Sequence, residues 1–270
     1  MTESGPDVLV AIMHNGNAGR LQETKGALSK FLGPELGQSH VLTLESQPEF
    51  VPTKRLSALK RLMYVFSIEF RNQARIKTPK IRFLLLLALF LADVMRLFGP
   101  SWAKTQRRIY SESALTEKHI SAMAGLSQSD YEFLLALEDD VYFSEDSGLD
   151  LESTKCVLRN AGARTIYLSL AVAFSMRQLG VEKISNEKDE HLIELSAGIA
   201  NTTAAYMINR KFAEEALALI RSEPRFRWLP ADWLLTELQR HLKNHLCLHA
   251  KVGPFINGSL FGLTRSEIRP

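Results

Sequence analysis

Apolar positions along the chain switch between strand-like runs and helical spacing, and the switches mark an alternating α/β order. Asp7 to Met13 (DVLVAIM) is a β-branched run halted by HNGNAG, which predicts a buried first strand and a glycine turn. Leu21 to Leu32 places apolar residues at helical intervals before Gly33-Pro34 and predicts the first helix. His40 to Leu44 (HVLTL) predicts a second strand. From Ser57 to Phe98 the spacing is helical, broken near Thr78-Pro79 and stopped by Gly99-Pro100. Thr116 to Leu126 predicts another helix, with Ser113 and Thr116 as candidate caps, and Tyr131 to Leu137 (YEFLLAL) a central strand. Further strands are expected at Thr165 to Leu170, Leu192 to Leu195 and Thr203 to Ile208, the last leading into the helical RKFAEEALALI. Asp232 to Leu242 predicts a helix and Leu246 to His249 a closing strand, before a tail, Gly253 to Pro270, rich in glycine and turn residues. No internal repeat is visible, so the pattern predicts one α/β unit over residues 1–270 with a helical insertion at about 51–110.

Hydrophobic residues make up 46% of the chain and charged residues 23%, which supplies a full core and excludes a disordered bulk. The two cysteines, Cys156 and Cys247, lack partners at zinc-ligand spacing; His245 and His249 flank Cys247 at intervals that suit a strand. Both cysteines read as packing residues rather than a disulfide. The N-terminal MTESGPDVLVAIMHNG lacks a basic stretch followed by an apolar one, so a cytoplasmic setting is expected, with peripheral attachment to the inner face of a membrane open.

Net charge is +3, but residues 51–110 hold thirteen Lys and Arg against two acids, Glu69 and Asp93, which makes that segment about +11 and the remainder about −8. Inside it, Ile81 to Phe98 (IRFLLLLALFLADVMRLF) has its strongest apolar run at Phe83 to Ala92, half the roughly twenty residues that span a bilayer. Two readings stay open: a buried core helix, or a helix on an anionic membrane surface with Lys77, Lys80, Arg82 and Arg96 at its edges. Aromatic residues do not interleave regularly with the bases, so nucleic acid is not an expected partner.

The chemistry gathers at Glu138, Asp139 and Asp140, where the central strand ends. Open α/β sheets place their ligands at this end, and three adjacent carboxylates repel one another unless a cation, an arginine or solvent intervenes. Mn2+ or Mg2+ suits such oxygens. The plain alternative is a solvated acidic turn continued by Glu145 and Asp146. His14, Asn15, Gly16 and Arg20 follow the first strand, where glycine admits close backbone approach and a cation can meet a base or phosphate. The same residues suit an ordinary strand-to-helix turn.

TEKHISAMAGLSQSDYEFLLALEDDVYF resembles the signature of glycosyltransferase family 25, the lipopolysaccharide β-galactosyltransferase family. That signature is a helix with an acidic start, then an apolar strand ending LEDD and an aliphatic residue, matched by Glu117 and by Glu138 to Val141. TTAAYMINRKFAEEAL is similar to the family's small-residue strand and following helix, PADWLL (Pro230 to Leu235) to its proline-aspartate segment, and NGSLFGLTRSEI to its tail with a serine-acid pair. The resemblance covers about residues 100 to 270. The opening departs from it: family members have an arginine-rich turn where HNGNAGR keeps only Arg20, and segment 51–110 has no counterpart.

The resemblance implies a GT-A fold, a nucleotide-binding α/β sandwich with a mostly parallel central sheet. It implies an inverting transfer of a hexose from a nucleotide-sugar donor, UDP-galactose or another UDP-hexose, to a glycan or glycolipid acceptor of a lipopolysaccharide or cell-surface polysaccharide. Asp140, with Asp139 or Glu138, is then a ligand of the metal on the donor diphosphate. Asp232 is the general base, its plain alternative an acid that favours the helix dipole. His249 supplies a third metal ligand or, with Lys251, a diphosphate contact, its plain alternative a packed or surface histidine, while Glu117 and Ser259 join the donor site. Gly258, Ser259 and Gly262 give the tail the mobility of a lid.

Two rivals remain. A nucleotidyltransferase uses the same acid, metal and diphosphate, and a membrane-surface adaptor would keep a degenerate transferase fold. The phosphate-loop, serine-hydrolase elbow and HExxH zinc motifs are missing, and a contiguous EDD lacks the separated acids of a glycoside hydrolase.

Overall fold

The structure, a computed structural model, describes residues 7–33, 40–45, 54–75, 80–171, 184–186, 191–196, 198–200, 202–259 and 261–263. In chain order its elements begin with β1 (Val8–Met13), α1 (Ala18–Leu32), β2 (His40–Leu44), α2 (Arg55–Arg75), α3 (Lys80–Phe98) and α4 (Trp102–Ser127). They continue with β3 (Phe133–Glu138), β4 (Val141–Phe143), α5 (Leu151–Asn160), β5 (Thr165–Ser169), β6 (Ile184–Asn186), β7 (Leu192–Leu195) and β8 (Ala205–Asn209). The last are α6 (Arg210–Ser222), a 3-10 helix (Pro224–Trp228), α7 (Ala231–His241), β9 (His245–Ala250) and β10 (Phe255–Asn257).

Eight strands form a mixed sheet in the order β2-β1-β3-β8-β5-β9-β7-β6, and β10 pairs with β4 apart from it. β1 lies parallel to β2 and β3, and β5 parallel to β9, whereas β8 runs against both β3 and β5 and β7 against both β9 and β6. Six strands therefore share one direction, as expected, with two reversed strands set among them.

Helices cover both faces, which is why β1 and β3 are unbroken apolar runs rather than alternating ones. Val10, Ile12, Leu135 and Leu137 pack with Leu28 and Phe31 of α1 and Leu151 and Leu158 of α5. On the opposite face, Leu9, Ala11, Leu134 and Ala136 pack with Ile120 and Met123 of α4, Phe212 of α6 and Leu234 of α7. This arrangement brings the carboxyl ends of β1 and β3 to one edge, beside the residues that lead into β8.

Several expectations need correction. α4 begins at Trp102, so Ser113 and Thr116 are not caps; their hydroxyls turn back to Ile109 O at 2.8 Å and Glu112 O at 2.9 Å within the helix. No glycine or proline separates Trp102 from Thr116, so nothing in the sequence stops the helix from starting early. α5 and the β10–β4 pair were not foreseen, although Asp150 and Ser153 form a capping box at the start of α5. Cys247 is buried, but Cys156 is exposed and so is not a packing residue; both thiols are free.

α3 is not a buried core helix, because Leu84, Leu85, Leu89, Leu91, Met95 and Phe98 are exposed. Among the described residues no single helix is long and apolar enough to cross a membrane. Lys77 and the tail's Ser266-Glu267 pair lie outside the described residues.

Candidate functional site

The strand period separates the three acids. Glu138 is two residues past Ala136 and so faces the α4 and α7 side of the sheet, while Asp139 turns the other way and Asp140 starts the chain toward β4. Each acid meets a different part of the molecule.

Asp139 braces the loop after β1. Its Oδ2 accepts the Asn15 backbone N–H at 2.7 Å and lies 3.1 Å from His14 Nδ1, and its Oδ1 is 3.6 Å from Arg20 Nη1. It is buried, and its oxygens are taken by this loop, so it is removed from the expected set of metal ligands. His14, Asn15 and Arg20 are thereby gathered at the β3 end. Gly16 sits at φ +89°, a left-handed conformation that a side chain would strain, and Asn17 then caps α1 by accepting from Gly19 and Arg20 N–H. Lys118 of α4 closes the loop from the other side, its ammonium donating to His14 O and, at 3.0 Å, to Asn15 Oδ1.

Glu138 belongs to a second cluster. Its Oε1 accepts the Thr203 hydroxyl and lies 3.8 Å from His119 Nε2. His119 Nδ1 is 2.9 Å from the Tyr206 hydroxyl. Burial pushes the His119 ring down to about 4, so at neutral pH the ring is uncharged and its approach to Glu138 is not an ion pair. Burial also raises Glu138 above its ordinary value, only partly offset by the Thr203 hydrogen bond.

Asp232, in the first turn of α7, completes this cluster. Its carboxyl is pushed up to about 6, first by desolvation and then by Glu138, against the opposing influence of Thr203 and His119. The residue keeps solvent-exposed surface, while Glu138, Thr203 and His119 crowd its carboxyl from the protein side. Helix-dipole stabilisation alone would lower an acid in a first turn, so desolvation and the Glu138 charge outweigh it.

Asp140 stands at the end nearer β10. Its Oδ2 accepts the Ser259 backbone N–H at 3.3 Å and its carbonyl accepts the Gly258 N–H at 2.7 Å. Its Oδ1 is buried without a hydrogen-bond partner. Burial and then Glu138 push its carboxyl up to about 6, only partly offset by Ser259. A buried carboxylate oxygen with nothing to bond, crowded by a second carboxylate, fits a hard cation. Among the described residues no three His, Cys, Asp or Glu side chains make a ready cage.

Other expected residues lie elsewhere. Glu117 pairs with Arg227 of the 3-10 helix rather than entering the donor site, because the helix turns Lys118 and His119 inward instead. His249 is not a metal ligand: it is fully buried in β9, where its Nε2 bonds Ile199 O at 2.8 Å and its ring abuts Tyr167. It stands near the carboxyl end of β9, paired with Ser169 of β5 on one side and Ile193 of β7 on the other, and these neighbours close the ring off from solvent. Lys251 follows β9, exposed, with its backbone N–H on His191 O at 2.9 Å. Ser259 clamps Asp140 and bonds Asn257 Oδ1 at 2.9 Å.

Four residues join the site that the sequence did not single out: Lys118, His119, Thr203 and Tyr206. A signal for two of them was present, since Lys118 and His119 precede an apolar helical face and would themselves be buried on it.

No family model matches the chain, and no curated protein matches it either. Solved structures that it resembles include the crystal structure of A197 from STIV, at 11% identity over 92% of this chain and 82% of that one, with a TM-score of 0.39. They also include a glycosyltransferase involved in the glycosylation of the major capsid of PBCV-1, at 11% identity over 81% of this chain and 69% of that one, with a TM-score of 0.30.

Proposed function

We propose that this chain is a metal-dependent glycosyltransferase that moves a hexose from a nucleotide sugar, a UDP-hexose such as UDP-galactose, to a glycan acceptor with inversion. The observation that carries this reading is the orphaned Asp140 Oδ1, which shares the β3 end with Glu138, close to an Asp232 carboxyl raised to about 6. Asp140 and Glu138 would hold Mn2+ or Mg2+, and the ion, when bound, would neutralise charge on the departing nucleoside diphosphate. The loop of His14, Asn15, Gly16 and Arg20 offers the donor a glycine-opened backbone and one guanidinium.

Asp232 removes the proton from the acceptor hydroxyl as that oxygen attacks the anomeric carbon. The bond to the diphosphate breaks with its electron pair staying on the diphosphate, and the proton ends on Asp232. A carboxyl near 6 is ionised at neutral pH and more basic than an ordinary aspartate, the combination a general base needs. His119, uncharged and held by Tyr206, positions Glu138 and contributes no charge of its own. A lipopolysaccharide or another cell-surface polysaccharide is the acceptor class we propose, on the sequence resemblance to family 25 alone.

The test is a screen of nucleotide sugars with Mn2+, read as nucleoside diphosphate release. Metal-dependent release from one donor, increased by acceptor glycan, is expected. Pyrophosphate release would assign nucleotidyl transfer instead, and indifference to both Mn2+ and UDP in thermal shift would leave a non-catalytic adaptor.

A further inference from the structure

α3 is apolar on two sides. Its inner side packs through Phe90, stacked on Phe66 of α2 at 4.3 Å between centroids, and through buried Leu97. Asp93 is held at that side by Arg108 of α4 at 3.4 Å and by Arg96 at 2.7 Å. The outer side repeats Leu84, Leu91, Met95 and Phe98 at intervals that fall on one stripe, with Leu85 and Leu89 on its flank. All six are exposed, Met95 to 74% and Leu84 to 61%. Scattered exposed leucines need no explanation, but a continuous stripe along a whole helix marks a contact surface.

Exposed bases lie near the carboxyl end of that stripe, where α3 gives way to α4. Arg55 lies over the Trp102 ring at 5.8 Å, which brings the start of α2 to the start of α4. Lys54, just before α2, Arg55 on α2, and Lys104 and Arg107 on α4 are exposed, while the segment's two acids, Glu69 and Asp93, are half-buried and Asp93 is already paired with Arg96 and Arg108. An apolar stripe with bases gathered at one end, on a helix not long and apolar enough to cross a membrane by itself, has the design of an element that lies in the plane of a membrane interface.

We infer that the outer side of α3 docks on an anionic lipid surface. Leu84, Leu91, Met95 and Phe98 enter the acyl boundary, and the bases near its end meet the headgroups. A second copy of the chain is the poorer occupant, because pairing the stripe with itself would bring two basic segments together. The helices are also tied to the site: Tyr64 of α2 meets Trp228 at 6.0 Å, and Arg71 pairs at 3.7 Å with Glu237 of α7, the helix that carries Asp232. Docking would thus hold the site near the lipid, which suits a lipid-linked acceptor. The surface itself stands whether or not the transferase reading does.

Co-sedimentation of the full chain with vesicles of phosphatidylcholine, alone or mixed with phosphatidylglycerol, tests this. Binding to the anionic vesicles should exceed binding to the neutral ones by about tenfold and weaken with salt. The double variant Leu91→Glu/Met95→Glu should lose about tenfold or more, and Lys104→Glu/Arg107→Glu about tenfold. Both should melt like the parent, since the side chains are exposed. Equal binding to the two vesicle types, or undiminished binding by the Leu91→Glu/Met95→Glu variant, would overturn the inference. So would a parent dimer in light scattering that this variant converts to monomer, which would make a second copy the occupant.

Discussion

Asp139 Oδ2 accepts the backbone N–H of Asn15 at 2.7 Å, and this one contact ties the end of β3 to the loop that follows β1. The central acid of the EDD run is therefore a brace, while Asp140 beside it keeps one buried oxygen unpartnered. Asp139→Ala leaves the Asn15 N–H unpaired in a part-buried position and should cost about 1–3 kcal/mol in urea unfolding, with weaker nucleotide binding. Asp139→Asn keeps an acceptor oxygen and should recover most of that loss. An alanine variant as stable as the parent would refute the brace.

Asp140 should reveal itself through pH in the metal-free protein. Its carboxyl is raised to about 6, so the fold favours the protonated acid. The stability this contributes is fully present below the unfolded value near 3.8 and is lost as pH rises through about 6. Asp140→Asn should therefore stabilise the apo-protein by about 2 kcal/mol above neutral pH and by almost nothing below about pH 4. Mn2+ should raise the melting temperature of the parent and leave the variant unchanged.

For Asp232, the expectation is kinetic. Asp232→Asn should lower kcat by about a hundredfold to ten-thousandfold while donor affinity, read by UDP titration, holds. In the parent, activity should climb as pH rises through about 6 and then level, because the ionised carboxyl is the active form. Asp232→Glu should retain some activity and move that limb. A variant that loses donor binding and kcat together would indicate a structural role.

Gly258 and Gly16 make a matched pair of substitutions. A Cβ at Gly258 would lie 2.7 Å from Asp140 O and against the Tyr142 ring, and a backbone carbonyl cannot swing aside. Gly258→Ala should displace Asp140, costing about 1–3 kcal/mol and weakening Mn2+ binding. At Gly16 nothing lies within 4 Å, so Gly16→Ala should cost only the strain of its φ of +89°, about 1 kcal/mol, with metal binding intact.

Much of the frame was legible in the sequence. Strands covered on both faces must be continuously apolar, so DVLVAIM and YEFLLAL declared β1 and β3 without reference to anything distant, while the half-buried edge strand β2 showed in the short β-branched run HVLTL. The position of Glu138, Asp139 and Asp140 at a strand end followed from the same run. What the sequence left open was what each acid touches. Strand alternation turns Glu138 toward Thr203 and His119 and Asp139 toward His14, and those partners come from segments up to 125 residues away. Glu117 was singled out over Lys118 and His119 because helix register against the sheet is a tertiary fact: side-chain charge does not say which neighbour turns inward. The same holds for α3. A helix apolar all round has no face that sequence can mark as outer, and only its packing on α2 and α4 leaves the stripe of Leu84, Leu91, Met95 and Phe98 uncovered.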